Sequence, residues 1–231
     1  MKFKMMMVTG LICGGTLLGT ATSVFAEEGS EPEKTPQEEV TGSEDGKSGT
    51  SHGYIQLTPG DDDENPTEPI LPTDPPGGTG NEGILTLDNV APLLFSIQKL
   101  EGKEQVYTSS VDNSNVQVTD KRGDEAGWNV QISQTEFIDV TDKAKILKGA
   151  KLVLPVGKLT TGGTNVSLEP TANSVEVNDT PAVLLNAEKD TGAGTWTDVF
   201  NKDEIELTVP AGNKTGEYMS TVTWALMDAP A

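Results

Sequence analysis

Very few residues of this chain could carry covalent or metal chemistry. It holds one cysteine, Cys13, and one histidine, His52. A Cys/His metal centre needs three or four ligands, and a thiol or Ser–His nucleophile needs a paired base, so this inventory leaves almost no material for either. Asp61-Asp62-Asp63-Glu64-Asn65 opens like a calcium loop, but Pro66 stands where the loop needs Gly for its sharp turn. Gly77-Gly78-Thr79-Gly80 and Gly192-Ala193-Gly194-Thr195 lack the Gly-Lys-Ser/Thr continuation of a phosphate cradle and read as loops. The domain's carboxylates are scattered over turn positions, with no spacing that singles out an acid/base pair. The expectation is a protein that is not an enzyme, with no cofactor and no metal.

The aromatic residues remain. Trp128 lies in Gly127-Trp128-Asn129-Val130, and Trp224 in Thr223-Trp224-Ala225-Leu226, shortly after Tyr218. An indole has a flat apolar face for sugar C–H surfaces and a polar edge for hydroxyls. A Trp on an alternating strand is more often core, so both are read first as core residues, with glycan stacking as the competing role. Trp196, in Gly194-Thr195-Trp196-Thr197-Asp198, has a loop-like context and reads as the more exposed indole.

Charge narrows the partners. Acidic residues number 36 against 16 Lys plus Arg, a formal charge of -20, and Arg122 is the sole Arg. Phosphate binding needs clustered cations, so nucleic acid is excluded as a partner, and docking onto anionic lipid is disfavoured. Hydrophobic residues make up 34% of the chain, too few for all of it to fold around a core.

The elements that must position these residues follow in chain order. Residues 1–26 run from Lys2 and Lys4 through an apolar stretch to small residues and then Glu27-Glu28, the order of a secretory signal peptide cleaved after Ala26. The apolar stretch is short for a membrane span, so no transmembrane segment is expected in the mature chain. Gly10-Leu11-Ile12 ahead of Cys13 is a poor lipidation site. Residues 27–83 carry 15 acids and eight of the 14 prolines, the composition of a disordered acidic tether. Within it, Gly53-Tyr54-Ile55-Gln56-Leu57-Thr58-Pro59 reads as a short strand in need of a sheet edge. Leu71-Pro72-Thr73-Asp74-Pro75 begins like a sortase signal, but Asp74 and Pro75 break it and no apolar tail follows.

Residues 84–231 read as one all-β domain. Strand-like runs bounded by Gly, Pro, Asn or Asp fall at Ile84–Leu87, Leu93–Gln98, Val116–Thr119, Trp128–Ser133, Ala150–Pro155, Val183–Ala187, Ile205–Val209 and Tyr218–Leu226. In the last run Tyr218, Val222, Trp224 and Leu226 share one face. Asp142–Leu147 is the best candidate for a helical turn. This pattern predicts a single immunoglobulin-like β-sandwich behind the tether.

Leu85-Thr86-Leu87-Asp88-Asn89-Val90, Val118-Thr119-Asp120-Lys121-Arg122-Gly123, Leu207-Thr208-Val209-Pro210-Ala211-Gly212, Gly216-Glu217-Tyr218 and the two Trp motifs together resemble the WxL domain family of Gram-positive surface proteins. The second Trp-x-Leu motif is complete at Trp224 and Leu226; the first has Val130 in place of Leu. The resemblance implies a secreted cell-surface protein attached non-covalently to the wall, with peptidoglycan as partner and Trp128, Val130, Tyr218, Trp224 and Leu226 as motif residues. It also implies membrane-anchored and other surface proteins as partners, in adhesion or host contact. The alternative is a protein-binding subunit whose wall location depends on such a partner.

Overall fold

The computed structural model describes residues 40–60 and 65–231. The leader with Cys13 and Ala26, the acidic run before Val40, and Asp61 to Glu64 lie outside the described residues. The chain divides into two units, residues 1–56 and 57–231. In the first, β1 (Thr41–Gly42) and β2 (Gly49–Thr50) pair antiparallel. Asp45 closes their turn: its carboxylate takes the Ser43 hydroxyl and the Lys47 N–H, and these bonds hold it below the usual carboxylate range. No strand spans Ser51 to Gly60. The expected short strand at 53–59 is corrected: Tyr54, Ile55 and Leu57 are exposed, and the Tyr54 hydroxyl meets only nearby Gln56. A short segment without a neighbouring strand leaves its backbone groups to water.

The second unit is all-β, as expected. Its strands are β3 (Leu85–Val90), β4 (Gln105–Thr108), β5 (Asn115–Asp120), β6 (Trp128–Gln134), β7 (Ile138–Asp139), β8 (Lys151–Leu154), β9 (Lys158–Thr160), β10 (Thr171–Ala172), β11 (Val175–Val177), β12 (Ala182–Ala187), β13 (Gly194–Val199), β14 (Glu206–Val209), β15 (Tyr218–Met219) and β16 (Val222–Met227). They form four-stranded antiparallel sheets in the orders β10-β12-β6-β16, β11-β8-β14-β4 and β3-β5-β13-β9, and β7 pairs with β15. All three larger sheets feed one apolar core. Trp128, Val130, Ile132 and Leu185 come from the first, Leu152, Leu154 and Leu207 from the second, and Val116, Val118 and Trp196 from the third.

Four local readings are corrected. Leu93–Gln98 is a loop: Ser96 adopts a φ of 56°, which breaks an extended path, and Ile97 is fully exposed. The run from Tyr218 to Leu226 is two strands, interrupted at Ser220-Thr221. Asp142–Leu147 is a turn rather than a helix, organised by the Asp139 carboxylate, which accepts N–H groups from Thr141 and Asp142. Trp196 is on strand β13, and its indole is 6% exposed; the flanking glycines that read as a loop signal sit at the strand's start, not through it.

The tether's proline-rich end belongs to the folded unit, ahead of the expected boundary at 84. Gln117 donates to the Glu68 carbonyl at 3.2 Å and accepts the Ile70 N–H at 2.7 Å. Asn115 donates to the Leu71 carbonyl at 2.7 Å and Asn113 to that of Pro72 at 3.2 Å. Asp74 then bridges to Asp112 and Gly78 to Asn89. Proline-rich backbone offers carbonyls with few N–H groups, and the alternate amide side chains of β5 supply the missing donors. This cover explains why β5 is buried on both faces. Beneath it the buried Asp88 carboxyl accepts from Thr86, Gln117 and Thr119 at 2.6, 2.9 and 2.6 Å, so its oxygens are satisfied within the protein.

Candidate functional site

The two Trp motifs meet in one sheet. β6 and β16 pair antiparallel with Leu226 opposite Val130, Trp224 opposite Ile132 and Met227 opposite Asn129. Partners across a ladder share a face, so Trp128, Val130, Ile132, Trp224 and Leu226 point the same way. Position in the sheet separates them. β6 lies between β12 and β16, whereas β16 is an edge.

Trp128 and Val130 are therefore fully buried. The Trp128 indole N–H donates to the Gly192 carbonyl at 3.0 Å. Gly192 has a φ of 77°, and a Cβ there would stand 2.9 Å from the indole nitrogen, so only Gly lets the chain pass so close to the ring. Trp224, Leu226 and Tyr218 are half-buried. Trp224 lines two open grooves. One, about 600 Å³, also has Leu85, Leu87, Arg122, Leu226 and Asp228 in its wall. The other, about 560 Å³, has Leu94, Phe137, Tyr218, Met219 and Val222.

Arg122 ties the motif ends together, a role sequence reasoning missed. Its guanidinium grips Asp120 through two bonds, at 3.0 and 2.7 Å, pairs with Asp228, and donates to the Gly127 carbonyl at 2.8 Å. The hydrogen bonds to Asp120 raise its pKa further. Asp228 follows the second motif and Gly127 precedes the first, so one side chain spans both. The available signal was a single Arg in an acidic chain, two residues beyond a buried-strand Asp. The C-terminal residues are fixed too: Asn129 donates to the Ala229 carbonyl at 2.7 Å, and the Ala231 N–H to Asn186 at 2.8 Å.

Tyr218 is placed by a second ion pair. Lys145 lies 2.9 Å from the Asp139 carboxylate and 5.4 Å from the centre of the Tyr218 ring. The Lys145 ammonium, then the Thr141 hydroxyl and the backbone N–H groups of Thr141 and Asp142, hold Asp139 far below the usual carboxylate range. Lys145 is raised in turn by Asp139. The Tyr218 hydroxyl donates to the Lys214 carbonyl at 2.9 Å, and the residue lines the second groove. Among the described residues, no three His, Cys, Asp or Glu side chains converge in a metal-holding group, and no helix is long and apolar enough to cross a membrane.

The all-β module thus splits its aromatic motif between a sealed interior strand and an open edge strand. Residues 44–230 match the family model described as "WxL domain surface cell wall-binding", and the chain belongs to this family. It is a cell-surface, wall-binding protein. Neither the curated proteins nor the solved structures give a match to the chain.

Proposed function

We propose that the protein is exported from a Gram-positive cell, loses its leader after Ala26 and holds to peptidoglycan non-covalently through β16. One observation carries this reading: Trp224 stands half-buried on an edge strand between two open grooves, with Tyr218 in one and Leu226 in the other. Trp224, Tyr218 and Leu226 make the contact. Trp128 and Val130 form the floor that holds the strand. A sugar ring stacks on an indole of this kind while its hydroxyls stay near water. Binding rather than turnover is supported by the commitment of nearby carboxylates, Asp120 to Arg122 and Asp139 to Lys145.

The test is sedimentation with peptidoglycan sacculi stripped of protein. The wild-type chain pellets with them, and Trp224→Ala stays in the supernatant while still folded. A chaotrope wash of intact cells releases the protein. Sedimentation only when other surface proteins are restored to the sacculi would overturn this reading in favour of the second: a protein-binding subunit or adhesin held by a membrane-anchored partner. The loop from Ala91 to Glu104 favours that second reading, because Leu94, Ile97 and Leu100 stand exposed on it, and apolar side chains of this kind suit a protein surface better than a sugar.

A further inference from the structure

A second concave surface lies apart from the Trp224 grooves. The cleft is about 650 Å³, within the range of about 300–1,000 Å³ typical of ligand sites. Its wall mixes apolar Ile70 and Val166 with polar Glu125, Thr161, Thr164, Asn165, Ser167 and Thr195; Gly163 leaves space among them, and Gly162 lies against Ile70. These side chains are organised before any ligand arrives. Asn165 donates to the Ala193 carbonyl at 2.9 Å and accepts the Ser167 N–H at 2.9 Å. The Ser167 hydroxyl donates to Glu125 Oε1 at 2.7 Å and accepts the Ala193 N–H at 3.1 Å. Two buried indoles brace the segment behind the cleft: Trp128 donates to the Gly192 carbonyl and Trp196 to the Ala193 carbonyl, each at 3.0 Å.

Glu125 itself is strained. Its φ is 49°, a left-handed conformation that L side chains rarely adopt. The Asp190 N–H holds it there through the Glu125 carbonyl at 2.9 Å. Strain maintained by surrounding bonds concentrates where a side chain has to be aimed.

We propose that this cleft is a second wall-contact site and that its ligand is the uncharged glycan strand, read through its hydroxyl and amide groups, rather than a phosphate-bearing wall polymer. Hydroxyl and carboxamide side chains pair with both donors and acceptors on a sugar. No Lys or Arg lines the cleft, and Glu125 repels phosphate, as does a chain of formal charge -20. The turn between β5 and β6 puts Arg122 in the groove beside Trp224 and Glu125 in this cleft, so one linear polymer has contacts available on both sides of that turn. Two weak contacts on one polymer multiply through effective concentration, which suits non-covalent retention. The inference rests on the wall-binding reading above.

The experiment uses the full chain and sacculi freed of protein, with and without acid removal of phosphate-bearing polymers. Gly163→Gln projects into the cleft from a position where a Cβ meets nothing within 4 Å. Thr164→Ala removes an exposed hydroxyl. The expected result is that the wild-type chain binds phosphate-stripped sacculi and both variants bind at least tenfold more weakly, with Tm unchanged. Equal binding by wild type and both variants overturns the cleft's role and leaves the Trp224 reading standing. Binding only to sacculi that keep their phosphate polymers overturns the ligand class. Failure of the wild-type chain to bind either preparation overturns the wall reading and this inference together.

Discussion

Trp128 and Trp224 each open a Trp-x-aliphatic motif, yet one indole is sealed and the other lines open grooves. Both sit on alternating strands and both point to the same side of the same sheet. The difference is that β6 has a neighbour on each side and β16 has one. An interior strand brings its inward side chains under cover from both flanks, whereas an edge strand exposes one flank of each. The lesson is that a repeated motif can divide into a sealed half and an open half while the Trp itself is unchanged.

The largest effect that would break this comparison is at the interior position. Trp128→Ala removes a fully buried indole and its bond to Gly192, and should cost roughly 3–5 kcal/mol of a total that for such domains is about 5–15 kcal/mol. Thermal unfolding should show a fall in Tm large enough that wall binding disappears with the fold. A small change in Tm would mean that the interior half is not structural.

Interior placement is sharpened by a polar group that obeys the same rule. Asp198 lies on β13, between β5 and β9, with no exposed surface and no hydrogen-bond partner for either oxygen among the described residues. Gly157 is pressed against it, since a Cβ there would meet Asp198 Oδ1 at 2.1 Å. Burial pushes the carboxyl up from 3.8 to about 7. Below pH 4 the folded and unfolded states both hold the proton. As pH rises from 4 to 7 the unfolded state releases it while the folded state keeps it, so stability falls through that window and levels off above it. The change is on the order of 4 kcal/mol at most. Denaturant unfolding at several pH values should show the decline, and Asp198→Asn should flatten it. A parallel pH profile for the two proteins would remove Asp198 as its cause.

Arg122 tests whether the halves are coupled. Arg122→Ala leaves Asp120 buried and unpaired and frees Asp228, and should cost roughly 3 kcal/mol. Because the guanidinium holds the chain before one motif and after the other, amide exchange should speed up in both Gly127–Asn129 and Met227–Ala229. Faster exchange in only one of them would show that the halves are independent.

The smallest expected stability effect is at the edge. Trp224→Ala exposes little that is not already half in water and should cost about 1–2 kcal/mol. Its effect on sacculus binding should be large by contrast. A loss of stability matching that of Trp128→Ala, with binding retained in the folded fraction, would make both tryptophans core and return the contact to other surfaces.

Much of the β domain was legible because local patterns carried it. Trp128, Val130 and Ile132 alternate with polar residues, and β6 is where that alternation said it would be. Leu93–Gln98 had the composition of a strand but no partner, and Ser96 turned the chain instead. Trp196 looked like a loop residue because glycines precede it, whereas pairing with both β5 and β9 makes its segment an interior strand. The candidate site was half legible: the aromatic residues were named, but Arg122 was noted as the sole Arg and as part of a family-like segment without a role, and Glu125 carried no signal at all.

By itself the sequence determined the all-β class, the acidic net charge, and the family to which the two Trp motifs belong. Those properties are set by composition, period-two alternation and motif spacing, all of which are local. Tertiary structure alone decided which Trp is open and which is sealed, because sheet order is fixed by long-range pairing. It also decided that the proline-rich segment before Gly80 is part of the domain: its low apolar content predicted a tether, but the amides of Asn113, Asn115 and Gln117 and the backbone N–H groups of Asp112 and Val90, brought alongside by the fold, give its carbonyls partners. A side chain's neighbours across a sheet are non-local, and that is the physical reason sequence patterns stop at the strand while the site begins at the edge.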